Sequence, residues 1–271
     1  MRAEKQNAKK VEFGKAVGVG LLGALGSFAA TSGWMHRERA HGAIKLAPPL
    51  VLAARTSIWG TGIVPRVWGK LHRDHHDFAD KPGDPHSPVL QGKYGVVKLL
   101  WRNPFLYHDK AEKTTEADIP PDLKPDKLDR LLFDKSRLGI AATFAGHMAI
   151  NKLLGNKARW GVVSAGIHLG TYIAGGNLVN AVGHSGKHPL KALVTGNIEQ
   201  NDDGNYGADS RLVGLLTLGE GNQRAHHNDP GKIVLADGSV TNQWTRDPFG
   251  STLLALTHTP LASVGEGPVV A

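Results

Sequence analysis

Three imidazoles stand within five residues in "HRDHH", which places His72, His75 and His76, and three further short groups carry the same residue. "HRERAH" places His36 and His41, "NAVGH" places Asn180 four residues before His184, and "QRAHH" ends in His226 and His227. On an α-helix, positions i, i+3 and i+4 share a face. His72, His75 and His76 therefore project as one cluster, and Asn180 shares a face with His184. His226 and His227 point about 100° apart on a helix, so the two neighbours can serve two different centres. Such spacing constrains the fold: four distant stretches must converge, and helices must present them.

The chemistry of the convergence is narrowed by what is missing. The chain has 271 residues, 14 histidines and no cysteine. Disulfides, thiolate zinc sites, iron–sulfur clusters and cysteine nucleophiles are excluded together. A transition metal must then sit on histidine, carboxylate or amide ligands, and neutral imidazole suits iron, zinc and copper. Eight grouped histidines exceed the four ligands of a zinc site and match two ions with roughly five or six ligands each. An all-nitrogen site at the ends of apolar helices points to oxygen chemistry on apolar substrates.

The apolar helices are few. Residues 16–35 and 160–185 lack charged side chains if histidine is neutral, and 138–151 is apolar but shorter. About twenty residues are needed to cross the hydrocarbon. A mean hydropathy of −0.23 fits only few, short or weakly apolar spans. All three stretches are rich in Gly and Ala, which membrane helices use to pack closely. The basic "MRAEKQNAKK" before the first also suits a secretory signal, but no clear small-x-small cleavage site precedes Trp34. The net charge of +8 suits an anionic membrane surface, and no nucleic-acid-binding motif accompanies it.

The pattern predicts one mainly α domain over residues 1–271. Residues 1–15 read as a polar, basic tail, and 36–66 as a segment lying along an interface. Residues 103–136, with "EKTTEADIPPDLKPDKLDR", read as a polar insertion. Residues 137–185 read as a helical hairpin broken at "GNKAR", and 186–218 as mostly loop. Residues 233–271 form a C-terminal extension with little signal. No alternation is sustained long enough for a sheet.

The order H-x(4)-H, H-x-x-H-H, N-x(3)-H and G-E-G followed by H-H resembles the membrane-bound acyl (stearoyl-CoA type) fatty acid desaturases, over roughly residues 30–232. "HRDHHDFADKPGDPHSP" resembles that family's second box and the Asp-Pro-His turn after it. "SRLVGLLTLGEGNQRAHH" resembles the run into its last box. The resemblance implies membrane-embedded helical hairpins under a cytoplasmic, histidine-rich cap that holds two iron ions (Fe2+). It implies the removal of two hydrogens from an unactivated acyl chain, with dioxygen and two electrons consumed, to leave a cis double bond. A lipid hydroxylase of the same superfamily and a non-catalytic metal-binding relative are the alternatives.

Carried over position by position, the ligands are His36, His41, His72, His75, His76, His184, His226 and His227, with Asn180 acting through a water. The family's last box reads H-x-x-H-H. Here Gln223 takes the first place, a weaker neutral donor, which leaves one ion an open position, a water, or a replacement ligand such as His188. Asp84, His86 and Glu220 are expected to orient imidazoles, and Trp68 and Arg102 to contact the substrate head group. The substrate is expected on CoA or another acyl carrier, with membrane lipid around the protein and no nucleic acid bound. Electrons must come from a separate ferredoxin, rubredoxin or small haem protein, because the chain has no Rossmann glycine pattern, no cysteine and no His-Pro-Gly-Gly segment. The expected location is multi-pass in a membrane, with the site on the cytoplasmic side. The family has two membrane hairpins. The residues before His36 suffice for one crossing, so the first hairpin is expected to be missing or re-entrant.

Overall fold

The computed structural model describes residues 2–236 and 247–267. Parts of the expected C-terminal extension, 237–246 and 268–271, lie outside the described residues.

Helix α1 (Arg2–Ala29) starts at the second residue, so the basic stretch is the first turns of a helix rather than a tail. The reason is local: Ala, Glu, Gln and Lys are strong helix formers, and no Pro or Gly interrupts them before Gly14. The helix runs on into a π-wound segment, Ala30–Ala40, closed by the His41 amide bonding the His36 carbonyl at 3.2 Å. Ser32 to Arg37 are six consecutive buried residues, so this segment is enclosed on every side. Wide i→i+5 turns are rare and recur at functional sites.

The expected hairpin is present as α5 (Ser136–Leu153) and α6 (Arg159–Gly183). It packs by close backbone approach. A Cβ on Gly161 would lie 2.2 Å from the Met148 Cα, and one on Gly20 of α1 would lie 2.6 Å from the Ser164 carbonyl oxygen. Among the described residues, two helices are long and apolar enough to cross a membrane by length and composition, Gln6–Ala40 and Arg159–Gly183.

Helix α2 (Pro48–Thr61) has Pro in its first turn and ends on Gly62 at φ 86°, the left-handed conformation that favours glycine. The reading of 36–66 as a segment lying along an interface thus resolves into the π-wound segment and α2. Helix α3 (Pro65–Asp77) carries the "HRDHH" group. Helix α4 (Gly95–Lys113) packs on α6 and runs past residue 103, so the polar segment starts inside a helix that faces the core. Short helices α7 (Pro189–Thr195), α8 (Arg211–Leu216), α9 (Gln223–Asn228) and α10 (Pro248–Leu256) complete the cap.

A two-stranded antiparallel ladder corrects the expectation of no sheet: β1 (Ile44–Leu46) pairs with β2 (Ala262–Val264), Ile44 opposite Val264. Strands of three residues are too short for alternation to register in sequence. The ladder also shows that the C-terminal extension is structural. Leu253 and Ala262 pack into one core with Trp34, Met35, Ile44 and Ile58.

Candidate metal centre

Four local structures deliver the imidazoles. The π-wound segment and the turn after it present His36 and His41. Helix α3 presents His72, His75 and His76 from one face. The end of α6 presents His184, and α9 presents His226 and His227. They sort into two groups. In the first, ligating nitrogens of His36, His41, His72 and His226 all lie within 4.8 Å of one another. His76 joins it, with Nε2 2.9 Å from His226 Nε2 and 3.2 Å from His72 Nε2. In the second, His75 Nε2 lies 3.0 Å from His184 Nε2 and 3.2 Å from His227 Nε2. The neighbours His226 and His227 serve different groups, as their angular separation on a helix predicts.

Three carboxylates fix how these rings face. His36 Nδ1 lies 2.7 Å from Glu220, His75 Nδ1 2.9 Å from Asp84, and His184 Nδ1 3.1 Å from Asp80. A neutral imidazole has a single N–H. Once that hydrogen is given to a carboxylate through Nδ1, Nε2 carries only a lone pair. Burial, reinforced by the neighbouring imidazoles, holds His75 well below the usual 6.5, so the ring stays neutral. With its hydrogen on Asp84, His75 turns a lone pair toward His184 Nε2 and His227 Nε2. Such an arrangement is satisfied by a cation between them. The donor set fits: nitrogen donors of intermediate softness, three of them (His36, His75 and His184) backed by a carboxylate.

Glu220 also accepts from Ser32 Oγ at 2.6 Å and from Arg37 at 3.0 Å. Arg37, almost wholly buried, bonds Asp247 at 2.8 Å and the Ile233 carbonyl at 2.7 Å. Asp247 in turn accepts the Leu235 and Gly250 amides at 2.8 Å. Asp84 accepts the Asp80 and His86 amides, and burial nonetheless pushes its carboxyl up to about 6. His86 stacks on His75 with ring centres 4.5 Å apart, and burial pushes it down to about 3.

The remaining sequence-derived residues divide. Trp68 stacks almost parallel on His72, 4.7 Å between ring centres. Asn180 donates to Asn103 Oδ1 at 3.2 Å. Gln223 is buried and donates one amide hydrogen to the Glu220 carbonyl at 2.8 Å, which leaves its oxygen and its second N–H for other partners. Arg102 is exposed on α4 and does not line the cavity beside the histidines. His188 is no replacement ligand: it precedes α7, is half exposed, and lies 4.0 Å from Glu199. Asp80, Arg37, Asp247 and Asn103 were not picked out from sequence. Asp80 alone had a signal, standing four residues before Asp84 in "DKPGD".

A cavity of ≈ 210 Å³ adjoins the imidazoles. His72, His75, His86, Glu220 and Gln223 form one side, and Phe28, Ile63, Leu71, Tyr107, Tyr172 and Val179 supply apolar walls. A second, polar cavity of ≈ 390 Å³ reaches His184 and His227 and is lined by Asp80, Lys81, Asp203 and Tyr206.

Comparison with known proteins agrees with this geometry. Over 122 residues the chain is 30% identical to hex-5-enoyl-[acyl-carrier protein] acetylenase of Moorena producens (strain JHB). That alignment covers 43% of this chain and 37% of the relative, so the chain spans little more than a third of it. The family model described as fatty acid desaturase matches residues 15–232. The match begins inside α1 and runs beyond α9, taking in every imidazole of both groups, and by it the chain belongs to the fatty acid desaturase family.

Proposed function

We propose that this protein is an acyl desaturase of the membrane-bound stearoyl-CoA type, which introduces a cis double bond into an acyl chain at a histidine-ligated di-iron centre. The observation that carries the reading is the pair of Nε2 atoms of His75 and His184 facing each other at 3.0 Å, each ring backed by a carboxylate, beside an apolar cavity. Two iron ions bound there supply the oxidising chemistry, drawing on dioxygen and two electrons. His36, His41, His72, His76 and His226 would hold one ion, and His75, His184 and His227 the other, with Asn180 acting through a water.

The chain's own residues do the rest. Asp84 and Asp80 hold the Nδ1 hydrogens of His75 and His184 and so keep their Nε2 atoms aimed inward, and Glu220 sits against Nδ1 of His36. Trp68 packs on His72 and closes one wall of the slot. The apolar walls exclude water and bind the acyl chain, whose methylene groups offer no polar handle, so shape alone sets which carbons face the imidazoles. The acyl chain arrives on CoA or an acyl-carrier protein, and a separate ferredoxin, rubredoxin or small haem protein delivers electrons. Helices α1 and α6 cross the membrane, with the histidine cap on its cytoplasmic side.

The test is expression in a desaturase-deficient host, with acyl products analysed by mass, for the wild type and His75→Ala. A product two mass units lighter than its precursor, absent with His75→Ala, is expected. A product sixteen units heavier would assign a hydroxylase, and no acyl product under any condition would leave a metal-binding protein only.

A further inference from the structure

The slot beside the imidazoles is not apolar throughout. Asn103 of α4 and Asn177 and Asn180 of α6 all line it, joined in one chain. Asn180 Nδ2 donates to Asn103 Oδ1 at 3.2 Å, Asn103 Nδ2 to Asn177 Oδ1 at 3.0 Å, and Asn177 Nδ2 to the Leu100 carbonyl at 2.9 Å. The direction is set by its end, since a carbonyl only accepts. Each amide therefore turns its nitrogen along the chain, and each nitrogen keeps a second hydrogen that the chain does not use. Donors left over in a small, mostly apolar cavity are costly without a partner.

We infer that this amide wall receives the carbonyl of a short, neutral acyl thioester. Two observations choose the ligand, and both rest on the desaturase reading of the site. First, none of the described residues lining the slot is Lys or Arg, while Glu220 is among them. The slot's own side chains thus offer no cation to a free carboxylate, whereas a neutral carbonyl needs only the N–H donors that the amide wall supplies. Second, an apolar cavity of about 150 Å³ takes a six-carbon ring. A slot of ≈ 210 Å³ thus holds on the order of eight non-hydrogen atoms. A long-chain acyl group would have to run out through the mouth of the slot. The carbons that face the imidazoles then lie within a few bonds of the carbonyl.

The experiment is equilibrium binding of radiolabelled probes to the purified iron-loaded protein: hexanoyl and octadecanoyl thioesters of N-acetylcysteamine, and hexanoic acid. The hexanoyl thioester is expected to bind about tenfold or more tighter than the other two. Asn103→Ala is expected to weaken it about tenfold, the loss of one hydrogen bond, with iron content unchanged. Phe28→Ala, which removes part of the slot's apolar lining, is expected to shift preference toward longer thioesters. Equal binding of hexanoic acid, stronger binding of the octadecanoyl probe, or wild-type affinity in Asn103→Ala overturns the inference. The readout needs no turnover. A protein that binds the short thioester through Asn103 but dehydrogenates nothing refutes the desaturase reading alone. One that desaturates octadecanoyl thioester refutes this inference alone.

Discussion

His75 and His184 hold their Nε2 atoms 3.0 Å apart while their Nδ1 atoms bind Asp84 and Asp80. Both carboxylates come from one turn-rich stretch between α3 and α4, so a single loop sets the tautomers of rings supplied by α3 and α6. Removing either carboxylate frees a ring to rotate or to carry its hydrogen on Nε2. Asp80→Asn and Asp84→Asn are each expected to lower metal affinity roughly 10–100-fold with the fold retained. Metal retained against a graded chelator series, with far-UV circular dichroism as the control, measures it. Wild-type retention in both variants would remove the carboxylates from any role at the centre.

The Arg37–Asp247 pair ties the C-terminal segment to the same centre through Glu220. Both side chains are at most 1% exposed. Truncating one partner leaves the other buried and uncompensated, at about 3–5 kcal/mol. Asp247→Ala is therefore expected to lower the thermal midpoint in detergent by several degrees and to release metal at lower chelator concentration. A midpoint within a degree of wild type would show that water replaces the carboxylate without loss.

Glycines of α6 divide by what they face. A Cβ on Gly161 would meet backbone atoms of Met148 at 2.2 and 2.3 Å, which cannot yield as a side-chain tip can, whereas Gly166 and Gly170 have nothing within 4 Å. Gly161→Ala is expected to push α5 and α6 apart and destabilise the protein. Gly166→Ala and Gly170→Ala are expected to be neutral or to stabilise by about 0.5–1 kcal/mol through helix propensity. Thermal midpoints of the three variants decide it.

Arg73 of α3 bonds Asp122 at 2.6 Å and the Arg39 and Ala40 carbonyls at 3.0 Å, pinning the polar segment beside His41. Burial pushes the Asp122 carboxyl up, but the bond to Arg73 together with the charges of Arg73 and Arg39 outweighs it, and the net shift is below the usual 3.8. A depressed carboxylate contributes stability that is present above 3.8 and lost as pH falls through its folded value. Asp122→Asn at neutral pH is expected to show the faster proteolysis within residues 103–136 that the wild type acquires only in acid. Identical cleavage rates for the two proteins at neutral pH would contradict this anchoring.

The histidine groups were legible in the sequence because helix geometry is local. Spacings of three and four residues put His72, His75 and His76 on one face whatever the rest of the chain does, and adjacency sends His226 and His227 to different groups. The same local logic marked the hairpin and the helical class. Local sequence could not show partners brought together from afar. Arg37 meets Asp247 across 210 residues, and an isolated arginine and aspartate look like solvated surface groups until burial makes their pairing obligatory. The three-residue strands exist only because Ile44 and Val264 are carried to each other. Asn103 looked like part of a polar insertion until α4 packed on α6 and turned it into the slot. The grouping of the imidazoles thus followed from the chain's own periodicity. The tautomers, the cavity and its amide wall were decided by packing, because each depends on which side chain a fold places within 3 Å of another.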